Sequence, residues 1–343
     1  MNSTTLDDFR RLWESPQPTL TLHTSGSTGR PKPWVVEKER MRASARMTCR
    51  ALGLGPGDSA LLCLPLHYIA GQMMAVRAWT CGLALHTLPT GGHPFSDPLP
   101  ALTSRSLVAL VPLQAWNTLQ VPEERERMAR VDHLLIGGGA IDPALEAELR
   151  TLPNHVWSTY GMTETLSHIA LRPIHEAWYR PLPGIRLGQD KEGCLLIDAP
   201  ALCPHPLHTH DLVRPHPTLG FQEGGFQVVG RADNVICSGG IKIQIEEVEQ
   251  ALRPVFGDSV MVTAVPHPKF GEVVVYLATA PIDEHLMRLC IDNPYWLPKR
   301  ILQVAHLPRT ASGKPDRAEA KRMAKEALPP LRATGRQSPT GNA

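Results

Sequence analysis

Between residues 60 and 136 short apolar runs alternate with segments of helical period, and this alternation leaves the chain very few folds. The runs Ala60–Leu64, Ala84–Leu88, Leu107–Val111 and His133–Ile136 have the length of buried strands and are punctuated by Gly and Pro. The segments Ile69–Thr80, Leu113–Gln120 and Glu123–Arg130 lie between them and read as helices. Strands separated by helices require crossovers, so largely parallel pairing and an α/β class are predicted. Upstream, Leu20–His23 reads as a strand feeding a polar loop. Residues 37–52 read as a helix with Met41, Ala45, Cys49 and Leu52 on one face and Gly53 as its C-cap.

From about Gly193 the pattern changes to short strand-like runs, Cys194–Ile197 and Phe226–Val229, among dense Pro, His and Gly. A further unit follows: helix Ile245–Leu252, strands Ser259–Val265 and Glu272–Ala280, and a helix near Ile282–Ile291. At 343 residues two domains are expected. They are a large N-terminal α/β domain over 1–232 and a smaller mobile α+β C-terminal domain over 233–323. Residues 324–343, low in apolar content, read as a disordered tail.

Formal net charge is +2 with both signs interspersed, which argues against a nucleic-acid groove or a polybasic membrane patch. The longest apolar stretch, Ala60–Gly71, is broken by Pro65 and His67 and is too short to span a bilayer. The first residues carry Asp7 and Asp8 and no apolar signal segment. Seven scattered cysteines without a C-x-x-C pair fit a reduced, cytoplasmic protein.

Four motifs carry chemistry. In Thr24-Ser25-Gly26-Ser27-Thr28-Gly29-Arg30-Pro31-Lys32, glycines let backbone N–H groups converge on an anion, hydroxyls add donors, and Lys32 adds charge. It is not a Walker A loop, since no G-K-[ST] follows at the required spacing. In Tyr160-Gly161-Met162-Thr163-Glu164-Thr165, a carboxylate beside a hydroxyl suits a hard cation such as Mg²⁺, and the aromatic ring offers a face to a purine. The third is Gly230-Arg231-Ala232-Asp233-Asn234-Val235-Ile236 with Ser238-Gly239-Gly240-Ile241-Lys242-Ile243. The fourth is Leu307-Pro308-Arg309-Thr310-Ala311-Ser312-Gly313-Lys314. A competing pattern, Cys203, His205, His208, His210 and Asp211, has residue types that bind zinc, set against the reading of a rigid Pro-rich loop.

TSGSTGRPK, YGMTET, HTHDLV, GRADNVICSGGIKI and LPRTASGK, in this order over roughly residues 20–317, resemble the signatures of the adenylate-forming superfamily. That superfamily comprises acyl-CoA synthetases, firefly luciferase and peptide-synthetase adenylation domains. PLHYIAGQM, GMTETLSHIALR and DNVICSGGIKI are most similar to a short 2-succinylbenzoate–CoA ligase of menaquinone biosynthesis. The resemblance implies an acid–thiol ligase that uses ATP and Mg²⁺ to form an acyl-AMP and then passes the acyl group to CoA. Another acid, a carrier-protein thiol, or a non-catalytic nucleotide-binding relative are the alternatives. A homodimer is compatible with the resemblance, and no nucleic-acid partner is implied.

Residue by residue, the resemblance assigns Thr24, Ser25, Gly26, Ser27, Thr28, Gly29 and Lys32 to the β- and γ-phosphates, and Thr163 and Glu164 to phosphate and Mg²⁺. It assigns Tyr160 to adenine, Gly138 and Gly139 to the nucleotide's side, and Asp211 and Arg231 to the ribose. Asp233 takes the hinge position and Lys314 that of the catalytic lysine. Gly239, Gly240 and Lys242 fall in the loop that reaches the thiol. His67, Ser167 and His168 are expected near the acid, with Ser167 or His168 holding a distal carboxylate. The chain departs from the pattern in two places. Thr209-His210-Asp211 stands where the family has T-G-D, and only about two dozen residues precede the phosphate loop.

Overall fold

The computed structural model describes residues 5–24, 32–102, 105–310 and 313–328. The chain forms two compact units: Met1–Asp190 with Leu195–Thr209 and Arg214–Gln227, and Lys191–Cys194 with His210–Val213 and Val228–Ala343. The boundary expected after residue 232 is therefore displaced to Gln227, and His210–Val213, with Asp211, groups with the second unit.

In the first unit the elements are α1 (Leu6–Glu14), β1 (Thr19–Thr24), β2 (Lys32–Glu37), α2 (Lys38–Leu52), β3 (Ser59–Leu62), α3 (Ile69–Cys81), β4 (Ala84–Thr87) and β5 (Ser106–Leu110). Then come α4 (Pro112–Leu119), α5 (Pro122–Met128), β6 (His133–Ile136), α6 (Pro143–Leu149), β7 (His155–Gly161), β8 (His168–Pro173), β9 (Arg180–Pro181) and β10 (Arg186–Gln189). Strands β1 and β2 form an antiparallel hairpin with Thr24 opposite Lys32.

The main sheet has the order β4-β3-β5-β6-β7-β8-β9. Its first five strands are parallel, as the strand–helix alternation predicts, and β8 and β9 are antiparallel. Strands β3 and β6 are buried at every position, so apart from Ser59 and His133 at their starts their sequences are apolar rather than alternating. Leu61, Val108, Leu110, Leu134, Ile136 and Phe95 form part of the core. The predicted face of α2 is confirmed: Met41, Ala45, Cys49 and Leu52 are all buried, and Gly53 closes the helix at φ 67°. Burying a Met or Leu side chain contributes roughly 1.5–3 kcal/mol, so this face alone anchors the helix.

The remaining strands are β11 (Cys194–Asp198), β12 (Leu207–Pro215), β13 (Phe226–Arg231), β14 (Val235–Ser238), β15 (Ile241–Gln244), β16 (Val260–His267), β17 (Gly271–Ala278) and β18 (Arg300–Gln303). The remaining helices are α7 (Ile245–Phe256), α8 (Glu284–Cys290) and α9 (Arg317–Ala327). A four-stranded sheet has the order β10-β11-β12-β13. The second unit is built on β15-β14-β17-β16, with β18 parallel to β17. The two-residue period of β16 and β17 divides its core. Val262, Ala264, Val274 and Tyr276 pack with Val248 and Leu252 of α7, while Met261, Val265, Val275 and Leu277 pack with Ala320 and Ala324 of α9. The tail expected from residue 324 is corrected accordingly: α9 runs on to Ala327, and Ala324 is fully buried.

Candidate active site

Most first-unit candidates lie just beyond the carboxyl ends of parallel strands, where open α/β sheets bind ligands. His67 follows β3 and is exposed, its ring 4.0 Å from that of Tyr68. Gly138 and Gly139 follow β6 and are exposed. Tyr160 ends the buried part of β7, and its ring meets Phe226 edge-on at 5.1 Å and Tyr179 at 6.1 Å. At 9% exposure it offers a purine only a rim. The phosphate-loop residues Ser25, Gly26, Ser27, Thr28 and Gly29 lie outside the described residues; Thr24 and Lys32 end the strands on either side.

After β7 the chain makes a tight reversal. Thr163–Thr165 form one 3₁₀ turn that leaves Glu164 exposed. Thr165 is fully buried, accepts a hydrogen bond from Met162 N at 3.0 Å, and its hydroxyl reaches Ser167 O at 2.7 Å. Leu166 follows at φ 67°, ψ −38°, the one non-glycine with positive φ among the described residues, and Ser167 N donates to Thr165 O at 2.7 Å. This is the rarer, strained hand of the γ-turn, at a cost of about 1–3 kcal/mol. Gly161 makes the reversal feasible, because a Cβ there would stand 2.4 Å from Ser167 O.

The reversal delivers Ser167 and His168 to a buried cation that sequence reasoning did not single out. Arg77 of α3 is 2% exposed, and no carboxylate pairs with it among the described residues. One guanidinium nitrogen donates to Ser167 Oγ and another meets Met74 Sδ at 3.4 Å, while its Nε has no partner. Burial pulls the guanidinium down to about 10. The available signal was an arginine inside the otherwise apolar helix Ile69–Cys81.

His168 opens the antiparallel strand β8 and is buried. Its Nε2 lies 2.9 Å from Thr48 Oγ1 and its Nδ1 3.3 Å from Ser167 Oγ, so both ring nitrogens are engaged within the protein. Burial, then the nearby Arg77 charge, drive its pKa well below 6.5. A neutral, fully engaged imidazole is a poor carboxylate ligand. It also sets a stability slope. As pH falls through 6.5 the unfolded chain takes up a proton that the folded chain refuses, so stability is complete above that value and declines below it. Urea unfolding is expected to show a falling midpoint from about pH 7.5 to about pH 5.5, with a shallower fall in His168→Gln. Equal slopes for the two proteins would remove His168 from the account.

In the second unit, three assigned residues converge. Arg231 donates to Asp211 Oδ1 at 2.7 Å and to Asp233 Oδ2 at 2.9 Å. His210, the departure from the family pattern, hydrogen-bonds the other oxygen of Asp233. Partial burial opposes ionisation of Asp233, but the bonds from His210 and Arg231 hold it below the ordinary carboxylate value. Gly239 (φ 59°) and Gly240 (φ 86°) form the two-residue turn of the β14–β15 hairpin, which requires positive φ at both positions. Lys242 is exposed on β15, opposite Cys237. Lys314 is exposed beyond a tight turn in which Thr310 N donates to its carbonyl at 2.8 Å.

The zinc alternative finds no support: among the described residues no three His, Cys, Asp or Glu side chains are grouped to hold a metal. Cys203 donates to Glu164 O at 3.2 Å, and His208 and His210 pair with different aspartates. Magnesium makes different demands. It accepts one or two carboxylates and fills its octahedron with water and phosphate, which suits the exposed Glu164 beside the Thr163 hydroxyl. A cavity of about 310 Å³ lies elsewhere, between Arg186, Leu196 and His208, and contains none of these residues. Among the described residues no helix is long and apolar enough to cross a membrane.

A largely parallel α/β sheet thus carries a Gly turn and a carboxylate turn just beyond its strand ends, the place where such sheets bind ligands. The chain belongs to the AMP-binding enzyme family, whose sequence profile matches residues 10–190. It is similar to a 2-succinylbenzoate–CoA ligase of Haemophilus influenzae, 27% identical over 311 residues, covering 85% of this chain and 66% of that protein. An acyl-CoA synthetase (AMP-forming)/AMP-acid ligase II-like protein of Dyadobacter fermentans is 34% identical, with TM-score 0.62 and 92% of each chain covered. An o-succinylbenzoate CoA synthetase of Bacillus subtilis, solved with ATP and magnesium ion, shares the fold with TM-score 0.70 at 22% identity, covering 87% of this chain and 69% of that one.

Proposed function

We propose that the protein is an ATP-dependent acid–thiol ligase that adenylates a carboxylic acid bearing a second carboxylate, with 2-succinylbenzoate as the leading candidate, and passes the acyl group to CoA. The observation that carries this reading is Arg77. A guanidinium taken out of water costs several kcal/mol unless an anion meets it, and among the described residues no carboxylate does. Its hydrogen-bond partner Ser167 lies three residues beyond Glu164. One short turn thus presents a carboxylate for the nucleotide's metal and a hydroxyl beside the acid's cation. The names of the similar ligases, and the ATP and magnesium of the Bacillus structure, support the same assignment.

In the first half-reaction a substrate carboxylate oxygen attacks the α-phosphorus of ATP, and the bond to pyrophosphate breaks. Magnesium, when bound, supplies charge neutralisation for the polyphosphate. Glu164 and Thr163 hold that end, Arg77 holds the distal carboxylate with Ser167 orienting its guanidinium, and Lys314 offsets the charge that builds at phosphorus. Asp211 and Arg231 take the ribose hydroxyls in this reading. In the second half-reaction the CoA sulfur attacks the acyl carbon and AMP leaves, with Gly239, Gly240 and Lys242 lining the approach of the thiol and Asp233 serving as hinge. A reducing, cytoplasmic location belongs to the same reading, supported by seven cysteines that are all free thiols.

Exchange of labelled pyrophosphate into ATP tests the first half-reaction. With 2-succinylbenzoate present, exchange is expected at least tenfold above background, and benzoate or succinate alone should support far less. Failure of every acid in an aromatic and aliphatic panel would refute the assignment.

A further inference from the structure

The polar groups around Arg77 form a continuous chain of hydrogen bonds. Thr48 Oγ1 donates to Ser44 O at 3.2 Å, one turn back on α2. With that hydroxyl proton on Ser44 O, the ring is the donor in the 2.9 Å contact between His168 Nε2 and Thr48 Oγ1. A neutral imidazole carrying its proton on Nε2 has a bare Nδ1, which accepts from the Ser167 hydroxyl at 3.3 Å. With its proton turned to His168, Ser167 Oγ keeps a lone pair for the Arg77 guanidinium. The strained Leu166 turn, closed by Ser167 N to Thr165 O at 2.7 Å, holds Ser167 in the position this requires.

We propose that Thr48, His168 and Leu166 are positioning residues for acid recognition: they fix the direction of the Ser167 hydroxyl so that it accepts from Arg77 and never competes with it for the substrate. Were the chain reversed, His168 would donate to Ser167 Oγ, and the Ser167 proton would be free to turn toward the acid. Leu166 is fully buried, so the surrounding core bears the strain that keeps Ser167 in place. The proposal rests on the reading of Arg77 as the anchor of the distal carboxylate, and it concerns residues that touch neither nucleotide nor acid.

Two measurements test it. In histidine-labelled protein, ¹⁵N spectra are expected to show His168 as the Nε2–H tautomer, unchanged from about pH 6 to about pH 8. An Nδ1–H tautomer, or a ring that titrates across that range, overturns the relay whatever the enzyme's activity. Thr48→Val keeps the side chain's shape but leaves the His168 N–H without an acceptor. The KM for the acid is expected to rise about tenfold, with kcat and the KM for ATP within about twofold, and Thr48→Ser should restore the wild-type value. A serine variant as impaired as the valine variant would make the effect one of packing and overturn the proposal. If no acid supports exchange in the wild type, the functional reading of Arg77 fails, while the tautomer still judges the relay.

Discussion

Replacement of Lys314 by alanine is expected to lower acid-dependent pyrophosphate exchange by about a thousandfold, yet leave conversion of pre-formed acyl-AMP to thioester within about threefold of wild type. The asymmetry follows from charge. Joining a carboxylate to a triphosphate brings two anions together, and a concentrated positive charge at phosphorus has its largest effect there. Thioester formation departs from a mixed anhydride whose polyphosphate has already left. The lysine's backbone is well placed for such a role: Thr310 N and Oγ1 reach its carbonyl at 2.8 and 3.3 Å, Gly313 N donates to Thr310 O at 2.9 Å, and Arg309 reaches Gly313 O at 3.0 Å. The turn is pinned while the side chain stays exposed and enters no ion pair among the described residues. Comparable losses in the two half-reactions would show that Lys314 stabilises the enzyme or serves both steps, and would remove the assigned role.

Arg77→Met should move stability and activity in opposite directions. Methionine keeps much of the length and apolar volume of arginine but deletes the charge. Replacing a buried ion by an apolar group of similar size is neutral or stabilising by about 1–4 kcal/mol, so the urea midpoint should hold or rise. The kcat/KM for a dicarboxylic substrate should fall by about 10²–10³-fold, with the KM for ATP nearly unchanged. Arg77→Lys should fall between, since an ammonium restores charge without the planar pair of donors. A strongly destabilised methionine variant that still binds its acid normally would mark Arg77 as structural.

Much of the first unit was legible in the sequence because both of its signals are local. Strands β3 and β6 announce themselves through the apolar runs Ala60–Leu62 and Leu134–Ile136, and α2 through the spacing of Met41, Ala45, Cys49 and Leu52. Strand β12 was less legible: its burial alternates only partly, and its His and Pro content suggested a loop. Arg77 escaped notice for a related reason. An arginine in a helix is ordinarily solvated, and the apolar residues on either side of it in α3 were the one local sign that this arginine is buried. The surroundings of His168 were equally hidden, since one of its ring nitrogens meets Thr48, 120 residues away.

The sequence by itself determined the strand–helix order, the loops bearing Glu164 and Gly138, and the family's ordered motifs, because periodicity and turn chemistry act over a few residues. Only the tertiary structure decided which charge is buried without a carboxylate partner among the described residues. Burial and partnership are properties of groups brought together from α2, α3 and β8, and a side chain's charge acquires its meaning from whether an opposite charge meets it there.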